Sequence, residues 1–157
     1  MESIEIIVSV RKIVRSLNLE SKALQKDFGL SIPQLLCLSY LEAQPSFKTT
    51  HKELMNFLSL NSSTVTGIIS RLEKRGYVAK LSNSNDRRLK SIILTASGKK
   101  LLDETPNVLH ERLSKKLDVL SEKQINTIKN SLDIIISAMN IDNIDATPLL
   151  TPGDTID

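Results

Sequence analysis

Residues 85–90, NDRRLK, set Asp86, Arg87, Arg88 and Lys90 behind a string of turn formers. Two adjacent arginines at a turn have little to pack against. Their permanent charge and forked N–H donors do, however, match phosphate oxygens. A second group lies upstream in SSTVTGIISRLEK, residues 62–74. There Ser62, Ser63, Thr64, Thr66, Gly67, Ser70, Arg71 and Lys74 are interleaved with Val65, Ile68, Ile69 and Leu72. On a helix the four aliphatic residues recur at i, i+3, i+4 and i+7 and form one stripe, which leaves the small polar residues and two cations on the opposite face. Small side chains early in such a helix let its backbone amides approach a phosphate, and the hydroxyls of Ser62 and Ser63 add donors.

Charge is distributed to the same effect. The chain of 157 residues has a net charge of +3. Residues 71–100 hold nine Lys/Arg against two acids, whereas residues 101–157 hold five against ten. A basic stretch of this kind is the footprint of a polyanionic partner. Other chemistry finds no support. The sequence has no nucleophile–base arrangement, no Gly-rich phosphate loop and no paired acids within reach of a histidine, so an enzyme is not expected. His51 and His110 are far apart and have no cysteine partner, so neither a metal nor another cofactor is expected. A single cysteine, Cys37, excludes an internal disulfide framework; set among Leu35, Leu36 and Leu38, it reads as a buried, inert thiol. No apolar run approaches the roughly 18–20 residues of a membrane span. MESIEIIVSVRKIV has acids first and no small-residue cleavage site, so a cytoplasmic protein without membrane association is expected.

The elements that would hold these groups are legible as caps and periodicities. Ile6, Val10, Ile13, Val14, Leu17, Leu24 and Phe28 predict one long helix over 3–28, irregular near Asn18 and ended by Gly29. Ser31 and Gln34 form a capping box for a second helix, with Pro33 in its first turn and Leu35, Leu36, Leu38 and Leu41 on its apolar face. Thr50 and Glu53 repeat the device for a short third helix that buries Leu54, Met55, Phe57 and Leu58. Asn61 or Ser62 caps the fourth helix, and Gly76 ends it. YVAKL and KSIILT predict two strands joined by 82–89. Thr95 caps a fifth helix running to about residue 118. Ser121 and Gln124 box a sixth, lined by Ile125, Ile128, Leu132, Ile135 and Met139. The tail from about residue 140 is polar and rich in turn formers, and is expected to be disordered. The fold class is therefore mainly α with a small β-hairpin wing: an N-terminal helix over 1–30, a winged helix-turn-helix lobe over 31–95, and further helices over 96–139. In the lobe, the helix-turn-helix spans about 50–76 and the wing about 77–95.

NDRRLKSIILTASG resembles the wing signature of the MarR family of bacterial regulators, carried here by Asp86, Arg88, Leu94, Thr95 and Gly98. SSTVTGIISRLEKRGYVAK is likewise similar to that family's recognition helix and first wing strand. The resemblance implies a homodimeric transcriptional regulator, more often a repressor, whose terminal helices interlock while two winged lobes straddle a pseudo-palindromic duplex. The aliphatic stripes of those helices exceed what one small lobe can bury, which points separately to a partner surface. Arg88 is expected in the minor groove, with Asp86 orienting an arginine and Arg87 and Lys90 on phosphates. The resemblance also implies a small-molecule inducer pocket, for which Leu17, Phe28, Leu36, Tyr40 and Leu109 are the expected lining. Gly67 stands where a longer polar residue is common in the family, and Lys80 where an arginine is. The fourth helix has no Asn or Gln to read adenine, which leaves Arg71 for guanine and gives DNA shape a larger share. Two alternatives remain at this stage. One is a winged-helix interaction module or antirepressor without specific DNA binding; the other is a non-specific architectural DNA binder.

Overall fold

The computed structural model describes residues 2–82, 90–105 and 109–142. They form α1 (Glu2–Phe28), α2 (Ile32–Ala43), β1 (Lys48–Thr50), α3 (His51–Leu58), α4 (Ser62–Lys74), β2 (Val78–Ser82), β3 (Lys90–Leu94), α5 (Ala96–Glu104), α6 (Leu109–Leu117) and α7 (Glu122–Ala138). The chain divides into a larger unit carrying α1 to α5 and a smaller one carrying α6 and α7.

Caps predicted from sequence start the helices. Ser31 and Gln34 close a box at α2, Thr50 and Glu53 at α3, and Ser121 and Gln124 at α7. Asn61, not Ser62, caps α4: its side chain accepts the Thr64 N–H at 2.9 Å. Each cap satisfies amides that have no partner within the helix, which fixes where the chain turns into it. Gly29 (φ 63) and Gly76 (φ 77) adopt the left-handed conformation just past α1 and α4.

The core of the larger unit is aliphatic. Leu30, Leu38, Leu41, Leu54, Val65 and Leu72 are completely buried, and Leu35, Ile68, Ile69, Val78 and Ile92 nearly so. The predicted stripe of α4 is thus the seam against α2, α3 and the sheet. Removing one such side chain costs about 2–5 kcal/mol. Cys37 is buried with them, and desolvation pushes its thiol up to about 12.

The sequence reading differs from the structure in four places. α1 runs unbroken through Asn18. The sheet has three strands in the order β1-β3-β2, all pairs antiparallel. β1 was not foreseen: Lys48, Thr49 and Thr50 pair with Ile93, Ile92 and Ser91 across the sheet, a partnership only tertiary structure supplies. The single helix expected from Thr95 to about 118 is two, because Thr105, just before Pro106, is extended (φ −88, ψ 128). Proline clashes with a helical residue preceding it, so a helix ends there. Finally, in α3 only Leu54 is buried. Phe57, in the last turn, is 45% exposed and is covered on one side by the Tyr40 ring, stacked at 4.4 Å between centroids. The tail beyond residue 142 lies outside the described residues.

Candidate nucleic-acid interface

α4 turns its polar face outward. Ser62, Ser63, Thr66, Ser70, Arg71 and Lys74 are exposed, and Thr64 and Gly67 half-exposed, while the opposite stripe is locked in the core. The hydroxyls on this face are not equivalent. Ser63 Oγ donates to the capping Asn61 carboxamide at 2.8 Å, and Thr66 Oγ1 donates to the Ser62 carbonyl at 2.8 Å. A hydroxyl has one proton, so neither can donate to an incoming anion without leaving its partner. The side chains of Ser62, Ser70, Arg71 and Lys74 have no polar partner among the described residues and present free donors. The Asn61 cap takes the Thr64 N–H, and the Ser62 and Ser63 amides lie in the same first turn, where the positive end of the helix favours an anion.

His51, first residue of α3, places Nε2 3.0 Å from Thr66 Oγ1. The imidazole and the hydroxyl share this hydrogen bond, with the donor set by the ring tautomer. This tie fixes the first helix of the helix-turn-helix against the second. Sequence reasoning weighed His51 only as a metal ligand and missed the role; fifteen residues of separation leave no local signal.

The basic stretch 71–100 is only partly available. Lys80 pairs with Glu73 at 2.9 Å, and Lys99 with Glu42 at 2.6 Å and Asp103 at 3.3 Å. The hydrogen bond it donates to Glu42, then the one to Asp103, holds the Lys99 ammonium above its ordinary value. Arg75 bonds carbonyls at the end of α1. Arg71 and Lys74 remain outward. Asp86, Arg87 and Arg88 lie outside the described residues, and Lys90 begins β3, so the expectations placed on their side chains have no geometry here.

Thr95 and Gly98, noted as part of the wing motif, do structural work. Thr95 Oγ1 accepts the Gly98 N–H at 3.1 Å and donates to the Gly76 carbonyl at 2.6 Å. The Thr95 amide donates to the Tyr77 carbonyl. The pair clamps α5 onto the end of α4 and so sets where the wing leaves it. Of the expected pocket lining, Leu17, Phe28, Leu36 and Tyr40 are half-buried in the larger unit. Leu109 opens α6, in the smaller one.

The MarR family profile matches residues 30–90. Among curated proteins, the chain is 27% identical to the uncharacterized HTH-type transcriptional regulator YfiV of Bacillus subtilis (strain 168), over 88% of this chain and 85% of that protein. It is 28% identical to the transcriptional repressor MprA of Escherichia coli (strain K12), over 82% and 78% respectively. Among solved structures, a MarR family transcriptional regulator from Streptomyces coelicolor, Sco3205, in complex with DNA superposes with a TM-score of 0.67 at 21% identity, covering 96% of this chain and 94% of that one. A Staphylococcus aureus MepR–DNA complex gives 0.62 at 24%, covering 83% and 96%.

Proposed function

Because the chain belongs to the MarR family of winged-helix transcriptional regulators, we propose that it is a homodimeric repressor that binds pseudo-palindromic duplex DNA through α4 and the wing. One observation carries the reading. A helix whose aliphatic side is fully committed to the core leaves Ser62, Ser70, Arg71 and Lys74 as free donors on a single exposed face. A helix of this width fits the major groove, and its N-terminal residues meet base edges and phosphates. Arg71 is the residue of this face suited to guanine, and Lys74 to a phosphate. Arg88 would enter the adjacent minor groove, Asp86 would orient a guanidinium, and Arg87 and Lys90 would hold the backbone. Two lobes on a palindrome would stand about 34–36 Å apart. The reading draws support from two relatives by fold, Sco3205 and MepR, seen in complex with DNA, and from MprA, named a repressor.

An inducer, where one exists, acts by binding best to a lobe spacing that misfits the operator, since only differential affinity shifts the equilibrium. Leu17, Phe28, Leu36 and Tyr40, all in the larger unit, are the proposed lining.

Selection of duplexes from a random pool by the purified chain tests the proposal. An enriched palindrome is the expected result. No enrichment at low salt would instead favour an interaction module or antirepressor, and strong salt-dependent binding without preference an architectural binder. Reversing the charge of Arg87 and Arg88 together should abolish tight binding; unchanged affinity in a folded protein would remove the wing from the account.

A further inference from the structure

α1 is 27 residues long, yet only Ser21 and Leu24 on it are buried. Its attachment to the winged lobe is therefore concentrated in its last two turns. Arg75, the residue closing α4, reaches that place. Its Nη1 donates to the Gly29 carbonyl, and its Nη2 donates to the Phe28 carbonyl at 3.2 Å and the Tyr77 hydroxyl at 3.3 Å. The guanidinium carbon stands 4.9 Å from the centre of the Tyr77 ring. A cation set on the carbonyls of a helix C-terminus is favoured by the helix dipole, and the aromatic face adds a second attraction. Gly29 admits the contact: a Cβ there would come within 3.2 Å of Arg75 Nη2, at a left-handed φ of +63 that already disfavours a side chain. Tyr77 is itself held by its amide on the Leu72 carbonyl and its carbonyl on the Thr95 amide. The end of α4 is thus a junction where one arginine joins the recognition helix to the long N-terminal helix.

From this juxtaposition we infer that Arg75 is a positioning residue: it fixes the direction in which α1 leaves the lobe and thereby the distance between the two recognition helices of a dimer. The inference rests on the proposed two-lobed DNA binding, with α1 in the dimer interface. Two lobes engage a duplex as a bivalent binder, whose second contact is strong only when geometry matches the spacing of the half-sites. A planar fork on two consecutive carbonyls resists bending at this joint in a way a lysine ammonium cannot.

The test measures affinity for duplexes carrying two selected half-sites, with the spacer lengthened and shortened by single base pairs, and for a duplex carrying one half-site. The wild-type chain should show a sharp spacing optimum. Arg75→Ala should bind the best spacing about tenfold more weakly and lose the sharp dependence, while its affinity for a single half-site stays the same. Arg75→Lys should fall between. An unchanged spacing profile overturns the inference, as does a single half-site affinity that drops in step, which would make Arg75 a DNA contact. A readout without DNA covers variants that bind poorly, or a wild-type chain that does not bind duplex at all. Spin labels on Arg15→Cys and Ser70→Cys, with labelled chains diluted in unlabelled ones, should give a broader α1–α4 distance distribution in Arg75→Ala. An equally narrow one sinks the idea. Absence of duplex binding by the wild-type chain with a broadened distribution in the variant would defeat the DNA-binding proposal and leave the joint standing.

Discussion

A Cβ on Gly98 would lie 2.2 Å from the Tyr77 carbonyl oxygen and 2.7 Å from Leu94 Cδ1, so glycine here is a packing requirement of the α5 clamp. Gly98→Ala is expected to cost about 1–3 kcal/mol or more, since the obstacle is backbone that cannot rotate away; urea unfolding measures it. Gly67 is the contrary case. A Cβ there meets nothing within 4 Å, and its φ is unexceptional. Glycine inside a helix costs about 1 kcal/mol relative to alanine, so this chain gives up stability at a position its own packing leaves open. The proposed DNA-binding role of α4 supplies a reason: a backbone bare at its centre could lie closer to a DNA edge. Gly67→Ala should therefore raise stability by up to about 1 kcal/mol while weakening duplex binding, opposite signs from one methyl group. An alanine variant that gains stability and binds as well as before would take Gly67 out of the contact.

At the scale of elements, the three-residue strand β1 and the first turn of α3 share one carboxylate. Glu53 Oε2 accepts from the Thr49 hydroxyl at 2.8 Å, the Thr50 amide at 2.8 Å and the Thr50 hydroxyl at 3.0 Å. The Thr49 hydroxyl first, then the Thr50 amide and hydroxyl, hold this carboxyl below its ordinary 4.5. A depressed folded-state value means the ionised form stabilises the fold above the ordinary carboxylate range, and that contribution is lost as pH falls through the folded value. Glu53→Gln should thus lower the urea midpoint at neutral pH, and its deficit against wild type should shrink below 4.5. A deficit that persists unchanged to about pH 3 would show that the box works through hydrogen bonding alone and not through charge. The consequence for the proposed interface is geometric: β1, α3 and, through His51 and Thr66, α4 form one braced unit.

On the whole molecule, the apolar residues left exposed gather on the long helices. Ile4, Ile6, Ile7, Ile13 and Val14 on α1 and Ile128, Leu132, Ile134 and Ile136 on α7 are all open to solvent. A row of exposed aliphatic side chains on one helix marks a surface suited to a partner. The proposed dimer gives that surface an occupant. Leu132, 48% exposed, is a suitable probe, since an aspartate there costs the isolated chain little but would be buried without a partner at an interface. Leu132→Asp should sediment as a monomer at concentrations where the wild type is a dimer, and should keep only weak, single half-site affinity for the duplex. A dimer of unchanged mass would move the interface elsewhere. Among the described residues no helix is long and apolar enough to cross a membrane.

What the sequence settled by itself was local. Ser31, Thr50, Asn61, Thr95 and Ser121 announce helix starts because a cap and its amide lie within three residues, and the stripe of α4 announces its buried side because a helix repeats every 3.6 residues. That was enough for the winged-helix order and for which face of α4 turns outward. Tertiary structure decided what depends on residues distant in the chain. β1 exists because β3 offers an edge. Thr66 is held by His51, Lys99 by Glu42, and Arg75 by the end of α1, forty-six residues from the Gly29 carbonyl. A sequence shows that a side chain carries a charge or a hydroxyl. Whether that group remains free for a partner or is already occupied within the fold depends on which distant backbone atoms close around it.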